Sequence, residues 1–173
     1  MSGTPTHGRP RAVVIVASTR AADGTYEDRT GPLLVAALTE WGYAVTGPQV
    51  VGDGDPVGTA LREALVGRPA VVLTTGGTGI APTDRTPEQT EPLLQRTLPG
   101  IPEAIRAAGL AGGVAPAVLS RGLAGVCGPT LVVNLPGSRG GVRDALGILR
   151  GVLAHALDQL GGGDHDPVGG AGC

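Results

Sequence analysis

Short, mainly apolar runs alternate along the chain with longer stretches in which apolar residues recur every three or four positions. Three such runs, at 12–17, 70–75 and 130–135, are rich in Val and Leu and have no alternating polar face. Strands of this kind are apolar on both sides, as in a parallel sheet that helices cover on both faces. A weaker strand is predicted at 43–51, where Gly47-Pro48 interrupts it.

Segments with helical spacing lie between the strands, at 32–41, 57–66 and 101–110. Two more helices are predicted to begin near Pro87 and after Ser138. The last helix carries a single apolar stripe along one face. Its members are Val142, Leu146, Leu149, Leu153, Ala156, Leu157 and Leu160.

Two of these helices have recognisable end signals. The helix at 32–41 has a proline in its first turn and is followed by Gly42, a residue type that commonly ends helices. Before the helix near Pro87, Thr86 and Gln89 have the spacing of a capping box, with Thr86 as the predicted N-cap.

The order strand, helix, strand, helix, strand indicates an α/β fold with a mainly parallel sheet flanked by helices. Residues 117–120 and 125–127 are predicted to form a strand or hairpin that leads into the final strand. We expect one domain at 11–160, a flexible N-terminal segment at 1–10 and a disordered tail at 161–173, which is rich in Gly, Asp and His.

The composition narrows the classes of function. Of 173 residues, 41% are hydrophobic and they are grouped in runs, which argues against disorder despite 31 Gly and 15 Pro. The net charge of −2 gives no basic field for a nucleic-acid backbone. All 13 cationic residues are arginine, which excludes a Walker A lysine and a lysine Schiff base. Two Tyr, one Trp and no Phe leave little surface on which bases could stack.

Cysteine usage and the first residues bear on the cellular compartment. Cys127 and Cys173 lack CxxC spacing, so neither a disulfide framework nor a zinc site is expected. The first ten residues lack the apolar core of a signal peptide, and no run of about 18 apolar residues occurs. We therefore expect a cytoplasmic protein without a membrane span.

The most distinctive polar residues follow the predicted strands. Four loops lie there, at 18–20, 52–55, 74–88 and 134–138, the first of them opening a polar segment that is predicted to be a loop. In open α/β sheets, ligands bind at the carboxyl ends of the strands. No G-x-S-x-G, HExxH or GxGxxG pattern occurs, so no standard nucleophile, zinc or dinucleotide motif is present.

The loop at 74–88 is the most informative of the four. Its three glycines let the backbone approach a ligand and present N–H groups to an anion, and the helix near Pro87 turns its positive end to the same place. Asp84 does not suit a pure phosphate cradle, but a hard cation between it and Asp53 or Asp55 would explain its presence. A tight turn in which Asp84 acts as a cap explains the same residues.

The other loops also have structural explanations. Asp53 and Asp55 around Gly54 fit an ordinary turn. Ser138 fits a helix N-cap as well as an anion site. The residues alone thus leave open phosphoryl or nucleotidyl transfer, with or without magnesium, and plain binding of a phosphorylated ligand.

Taken together, these motifs resemble those of the Mog/MoaB family of molybdopterin-binding proteins. The central match is TTGGTG at 74–79, followed by Asp84 and by TPE at 86–88. The resemblance extends over 11–160. Its other elements are Ser18, Arg20, Gly24 and Asp28 in the first loop, Leu119-Ser120-Arg121, NLPGS at 134–138, and Val142-Arg143.

The resemblance implies a three-layer α/β sandwich that assembles as a homotrimer. It also implies a molybdopterin adenylyltransferase, which uses Mg²⁺ to transfer AMP from ATP to the terminal phosphate of molybdopterin and releases pyrophosphate. A molybdate-insertion protein that acts downstream is a further implied partner. Some members of the family bind molybdopterin without adenylylating it, and gephyrin-type domains serve in assembly; the presence of both carboxylates in this chain favours the enzyme.

Residue roles follow from the same resemblance. Asp53 and Asp84 match the family's two functional aspartates and are expected to be catalytic and to hold Mg²⁺. The nucleotide phosphates are expected on Thr75, Gly76, Gly77, Thr78 and Gly79. The substrate is expected on Ser18, Arg20, Ser120, Arg121, Pro136, Gly137 and Ser138. Many members carry Arg directly before the motif aspartate, where this chain has Thr83, so Arg85 or Arg20 is expected to supply that charge.

Overall fold

The computed structural model describes residues 8–162. Its elements are β1 (Arg11–Ala17), α1 (Thr19–Ala22), α2 (Gly31–Glu40), β2 (Ala44–Val51), α3 (Asp55–Val66), β3 (Val71–Thr75), α4 (Thr86–Thr90), β4 (Arg96–Thr97), α5 (Gly100–Ala111), β5 (Ala124–Cys127), β6 (Thr130–Leu135) and α6 (Arg139–Leu160), with 3₁₀ turns at Glu91–Leu93 and Ala115–Leu119. None of the helices in this range is long and apolar enough to cross a membrane. Flexibility was expected at the N-terminus and disorder at the C-terminus. Residues 1–7 and 163–173, Cys173 among them, lie outside the described residues.

The six strands form one sheet in the order β2-β1-β3-β6-β5-β4. The four strands β2, β1, β3 and β6 run parallel, whereas β5 pairs antiparallel with β6 on one side and with β4 on the other. The predicted α/β fold with a mainly parallel sheet is therefore confirmed.

The direction of strand addition reverses between β1 and β3. From β1 the chain passes to β2 on one side and then returns to β3 on the other side. The register aligns Val16 with Thr75 and Thr75 with Leu135, so the carboxyl ends of β1, β3 and β6 lie side by side. Such a reversal opens a crevice at the carboxyl ends of the strands, which is where open α/β sheets bind ligands.

Helices cover both faces of the sheet. On one face, a buried cluster joins α2, α5 and α6 to Val14 of β1 and Leu73 of β3. On the other face, α3 packs against Ile15 and Val72 from the same two strands. Successive residues of each strand thus face opposite layers, as strand geometry requires. This arrangement confirms the three-layer sandwich and explains why the strands are apolar without alternation.

Two predictions for irregular segments are wrong. The loop expected after β1 contains α1, because the Ser18 hydroxyl caps this helix by accepting a hydrogen bond from the Ala21 N–H at 3.2 Å. Residues 117–120, expected as part of a strand, belong to the 3₁₀ turn Ala115–Leu119 and its C-cap. Pro116 explains the turn, since it has no N–H to donate to a neighbouring strand and its φ is fixed. The two-residue strand β4 was not predicted, because so short a segment has no period.

The capping box predicted at Thr86 is also wrong, since the residue before it is the N-cap of α4 and makes no side-chain cap. The Thr86 hydroxyl donates to the carbonyl of Gly76 at 3.0 Å, and its N–H donates to the carbonyl of Gly77 at 3.0 Å. Gln89 donates through Nε2 to Oδ1 of Asp55 at 3.1 Å. The Thr86 side chain thus joins α4 to the loop after β3, and the Gln89 side chain joins α4 to the first residue of α3, so neither closes the first turn of α4.

Candidate functional site

Residues 76–79, which we call the glycine loop, leave β3 in a conformation that favours glycine. Gly76 and Gly77 have φ angles of +92° and +61°, in the left-handed region. A Cβ at Gly76 would collide with the carbonyl oxygen of Ala17, and one at Gly77 would collide with the Thr86 hydroxyl. The backbone therefore passes close to both β1 and α4, at the position where the direction of strand addition reverses.

Asp53 lies between β2 and α3 and is fixed by α1. Its Oδ2 accepts hydrogen bonds from the Thr19 N–H at 2.9 Å and the Thr19 hydroxyl at 2.8 Å, and its own N–H donates to that hydroxyl at 3.1 Å. A Cβ at Gly77 would lie 3.2 Å from Oδ1 of Asp53, so this second oxygen faces the glycine loop. Asp55, the other candidate from the sequence, accepts a hydrogen bond from Gln89 instead.

Asp84 follows the glycine loop and folds back onto it. Its Oδ2 accepts a hydrogen bond from the Ala81 N–H at 3.1 Å, and its own N–H donates to the Ala81 carbonyl at 2.9 Å. A Cβ at Gly79 would lie 2.7 Å from Oδ2 of Asp84. Asp53 and Asp84 thus pack against the same loop, and each uses Oδ2 for its hydrogen bonds to the protein.

Two cavities open at the carboxyl ends of the strands and share a wall. The larger one, of about 780 Å³, contains Asp53 and is called the Asp53 cavity. The smaller one, of about 630 Å³, contains Ser120 and is called the Ser120 cavity. The residues that line both are Gly77, Asp84, Gly137 and Ser138. The two cavities therefore meet at the glycine loop, with Asp84 at the junction.

The predicted site residues divide between the two cavities. Those that line only the Asp53 cavity are Ser18, Arg20, Asp53, Thr75 and Gly76. Those that line only the Ser120 cavity are Thr78, Gly79, Ser120 and Pro136. Arg121 lines neither. The set of residues expected to bind the substrate other than the nucleotide is thus divided, since Ser18 and Arg20 lie beside Asp53 and away from Ser120.

Cationic side chains line the Asp53 cavity beside its carboxylates. They are Arg20, Arg29 and Arg139. The guanidinium groups of Arg20 and Arg29 lie 5.6 and 5.8 Å from the centroid of the Tyr26 ring, within the range of cation–π attraction. The cavity therefore offers several positive charges to a polyanion.

The Ser120 cavity has a more apolar lining. Ile80, Val114 and Leu119 line it, and about half or more of each residue is exposed, with Ile80 at 68%. The Ser120 hydroxyl lies 3.5 Å from the Thr78 hydroxyl, so two polar groups stand together in this lining. Arg106 and Asp144 also line this cavity. Apolar walls with a few polar or charged groups are typical of sites for small organic ligands.

The turn between β6 and α6 forms the shared wall. The Pro136 carbonyl accepts a hydrogen bond from the Thr75 hydroxyl at 2.7 Å, which ties this turn to the end of β3. The Ser138 hydroxyl accepts from the Gly141 N–H at 3.1 Å, which confirms the N-cap predicted there. The positive end of a 22-residue helix thus lies at the junction of the cavities.

Arg121 lies behind the glycine loop. Its guanidinium donates to the carbonyls of Gly79 and Asp84, at 2.8 and 2.6 Å, and forms an ion pair with Glu88. The hydrogen bond from Arg121 lowers the pKa of the Glu88 carboxyl below its ordinary value. The contacts of this side chain join the loop to α4.

Thr19 and Asn134 lie in segments that the sequence singled out as loops, but no role was predicted for either side chain. Asn134 is buried in β6, where Nδ2 donates to the hydroxyls of Thr74 at 3.0 Å and Thr90 at 2.9 Å. A polar residue within an apolar strand was an available signal, since a buried amide needs partners. The sequence offered no such signal for Thr19, because its partner Asp53 is 34 positions away.

Comparison with known proteins places this arrangement in a family. Residues 13–155 match the family model described as a probable molybdopterin binding domain. The molybdenum cofactor biosynthesis bifunctional protein of Synechococcus elongatus is 38% identical over 160 residues, covering 92% of this chain and 50% of that protein. The molybdopterin adenylyltransferase of Pyrococcus furiosus is 36% identical over 148 residues, covering 83% of this chain and 87% of that protein.

Solved structures of related proteins have the same fold. The molybdopterin biosynthesis Mog protein from Mycobacterium ulcerans has a TM-score of 0.84 and 49% identity, covering 89% of this chain and 98% of that one. The chain spans about half the length of the bifunctional relatives and most of the length of the adenylyltransferase. Because the family model matches most of the chain, including the strand ends that form both cavities, the chain belongs to the molybdopterin-binding domain family of molybdenum cofactor biosynthesis proteins.

Proposed function

We propose that this protein transfers AMP from ATP to the terminal phosphate of molybdopterin, with Mg²⁺, and releases pyrophosphate. The observation that carries the proposal is that Asp53 and Asp84 pack against one glycine loop at the point where two cavities meet. A reaction between two phosphorylated substrates needs two ligand spaces and one shared site for their phosphates. The name molybdopterin adenylyltransferase, carried by relatives of similar length, supports the assignment.

We place ATP in the Asp53 cavity. Gly76 and Gly77 would bring backbone close to its phosphates, and Arg20 would offset their charge. Thr78 and Gly79, which the resemblance implied for the nucleotide as well, line only the Ser120 cavity and would face the other substrate. Ser18 and Arg20 then contact the nucleotide and not the pterin. Arg20 also supplies the charge that other family members have at the position of Thr83, because both residues line this cavity whereas Arg85 lines neither.

We place molybdopterin in the Ser120 cavity. A flat heterocycle fits the apolar walls near Ile80 and Leu119, and the hydroxyls of Ser120 and Thr78 offer it hydrogen bonds. Its terminal phosphate then lies at the junction, next to the capped N-terminus of α6 at Ser138. Helix N-termini favour phosphate through their dipole and their exposed N–H groups.

The two carboxylates beside the glycine loop fit a magnesium ion. Within residues 8–162 no group of three or more His, Cys, Asp or Glu is arranged as a metal site. Mg²⁺ does not need one, since it is commonly held by one or two carboxylates, water and substrate phosphates. Asp53 and Asp84 would hold it, and its charge would offset that of the phosphates during transfer.

The reaction forms a bond between a phosphate oxygen of molybdopterin and the α-phosphorus of ATP. The bond from that phosphorus to the bridging oxygen breaks, and pyrophosphate leaves. In this direct transfer the side chains that line the cavities contribute position and charge. Arg20 and Arg29 would stabilise the departing pyrophosphate.

We further propose that the protein is a cytoplasmic homotrimer whose core is one domain at 11–160. Exposed apolar side chains on α5 and the following 3₁₀ turn, including Leu110 and Val118, offer a surface for contact between subunits. A molybdate-insertion protein is the proposed partner downstream, which is consistent with the name bifunctional carried by relatives of about twice the matched length.

The test is a single assay with purified protein, ATP, Mg²⁺ and molybdopterin, in which pyrophosphate release and adenylyl-molybdopterin formation are followed together. We expect both products in equal amounts, and neither without molybdopterin. Tight molybdopterin binding with no pyrophosphate release would instead show that the chain is a binding protein that uses the same cavity.

A further inference from the structure

Arg121 makes four directed contacts with one segment of the chain. Its backbone N–H donates to the Thr78 carbonyl at 2.8 Å, Nε donates to the Gly79 carbonyl at 2.8 Å, and Nη2 donates to the Asp84 carbonyl at 2.6 Å. Nη1 pairs with the Glu88 carboxylate in the first turn of α4. One side chain thus bonds both ends of the segment 79–84 and the helix that follows.

The segment between those two carbonyls has few other supports. Ile80, Ala81, Pro82 and Thr83 are all exposed. The hydrogen bonds inside the segment join Ala81 to Asp84, and they exist only while the segment keeps its bent shape. Holding an exposed loop in one conformation opposes considerable backbone entropy, which the charge-assisted bonds from Arg121 offset.

We propose that Arg121 is a positioning residue, which sets the place of the Asp84 carboxylate by clamping its loop and does not contact the substrate. The inference rests on the proposed function of Asp84 and replaces the role in substrate binding that the resemblance implied for Arg121. Three guanidinium nitrogens are engaged by the loop and Glu88, and the residue lines neither cavity. Glu88 acts together with Arg121, because the Glu88 carboxylate fixes the orientation of the Arg121 guanidinium.

The chemistry of the contacts makes arginine specific at this position. A guanidinium presents several donors in one plane, so it reaches two carbonyls and a carboxylate at once. A lysine has the same charge on a single nitrogen and cannot span the two carbonyls in this geometry. Arg121→Lys therefore tests the clamp while it keeps the charge and most of the aliphatic stem.

The decisive measurement is hydrogen exchange on the protein without substrates, at the amides of Ala81 and Asp84. In Arg121→Gln we expect these amides to exchange about tenfold faster, as for the loss of hydrogen bonds to a charged group, with a smaller increase in Arg121→Lys. The matched control is Arg150→Gln, which removes another arginine, paired with Glu40 at 3.9 Å on α6 and α2, and should leave both amides unchanged. Unchanged exchange in Arg121→Gln would overturn the proposal.

A second measurement ties the clamp to the reaction. We expect Arg121→Gln to lower kcat about tenfold with little change in the KM for molybdopterin, whereas loss of a substrate contact would raise that KM. Adding Glu88→Gln to Arg121→Gln should produce little further loss, because the two residues act as a unit. A raised KM at normal kcat would overturn the proposal. The exchange measurement needs no catalysis, so a failed clamp and a failed assignment as adenylyltransferase give different results.

Discussion

Thr19 donates two hydrogen bonds to the same carboxylate oxygen of Asp53, from its N–H at 2.9 Å and from its hydroxyl at 2.8 Å. The same hydroxyl accepts the Asp53 N–H at 3.1 Å. Helix α1, which follows β1, and the loop that follows the neighbouring strand β2 are thereby fixed to each other, and the second Asp53 oxygen is left facing Gly77. The position of this carboxylate is thus set by Thr19, a residue to which the sequence motifs assigned no role.

Replacing Thr19 tests this relationship. Thr19→Val keeps the shape of the side chain but loses both bonds made by the hydroxyl. We expect a loss of about 0.5–1.5 kcal/mol in unfolding free energy, since the contacts are exposed, and roughly a tenfold lower kcat. Thr19→Ser keeps the hydroxyl and should stay close to the wild type in both denaturant melts and the pyrophosphate assay. Equal activity of the Val and Ser variants would show that Thr19 does not position Asp53.

Asp84→Asn removes the negative charge at the junction of the cavities and keeps the size of the side chain. Turnover should fall by about a hundredfold or more, because the group proposed to hold Mg²⁺ loses its charge. Thermal melts and molybdopterin binding should remain nearly unchanged. Asp55→Asn is the matched control, since Asp55 lines neither cavity, and it should keep wild-type turnover. A normal rate in Asp84→Asn would exclude Asp84 from the mechanism.

The ion pair between Arg121 and Glu88 predicts a dependence on pH. The pKa of Glu88 lies below its ordinary value of 4.5 in the folded state, first through the hydrogen bond from Arg121. A lowered pKa means that the stabilising effect is fully present above the unfolded pKa and is lost as the pH falls through the folded one. Glu88→Gln should therefore lower the melting temperature slightly at pH 7, since the pair is half-exposed, and this difference should vanish as the pH falls below the lowered pKa.

Glu40→Gln serves as the control for this titration. Glu40 pairs with Arg150 at 3.9 Å, and both side chains are about 70% exposed, so the pair contributes little. The melting temperature of Glu40→Gln should match that of the wild type at pH 7 and at each lower pH of the titration. If the difference between Glu88→Gln and the wild type does not shrink at any pH below 4.5 at which the protein stays folded, the effect of Glu88 is not electrostatic.

The fold was predictable from the sequence because the central strands are covered on both faces. Burial on two sides requires mainly apolar runs without an alternating polar face, and these runs mark β1, β3 and β6 directly. The turn at Ala115–Leu119 was not predictable in the same way, since its apolar residues have the composition of a strand and only Pro116 argues otherwise. Local composition thus identified the buried elements and failed where a short apolar segment stays at the surface.

The sequence predicted which residues belong to the site better than it predicted the contacts that they make. The glycine loop, Asp53 and Asp84 follow strands whose ends must meet, so topology alone brings them together. The direction of the Arg121 side chain depends on carbonyls 37 and 42 positions away, and no spacing in the sequence encodes such a contact. Likewise, the division of Ser18 and Ser120 between two cavities depends on the path of the glycine loop between them.

Gly77 tests the nucleotide side of the site. Gly77→Ala places a Cβ against the Thr86 hydroxyl, at a φ of +61° that other residues rarely adopt. We expect the Kd for ATP, measured by titration calorimetry, to rise about tenfold or more, because the backbone must shift away from the phosphates. Gly147→Ala is the control: it lies in α6 with open space around the new methyl group and should raise stability by about 0.5–1 kcal/mol without changing ATP affinity.

Ser120→Ala tests the other side. The substitution removes one hydroxyl, 3.5 Å from that of Thr78, from a cavity that does not include Asp53. Losing one ordinary hydrogen bond should weaken molybdopterin binding by about 0.5–1.5 kcal/mol, or roughly two- to tenfold in Kd, and leave ATP binding unchanged. Gly77→Ala should damage ATP binding more than molybdopterin binding, so the two variants should show opposite patterns in titrations with each ligand alone. If both variants lose both ligands to the same extent while their melting temperatures stay normal, the two substrates share a single cavity and the division at the glycine loop is wrong.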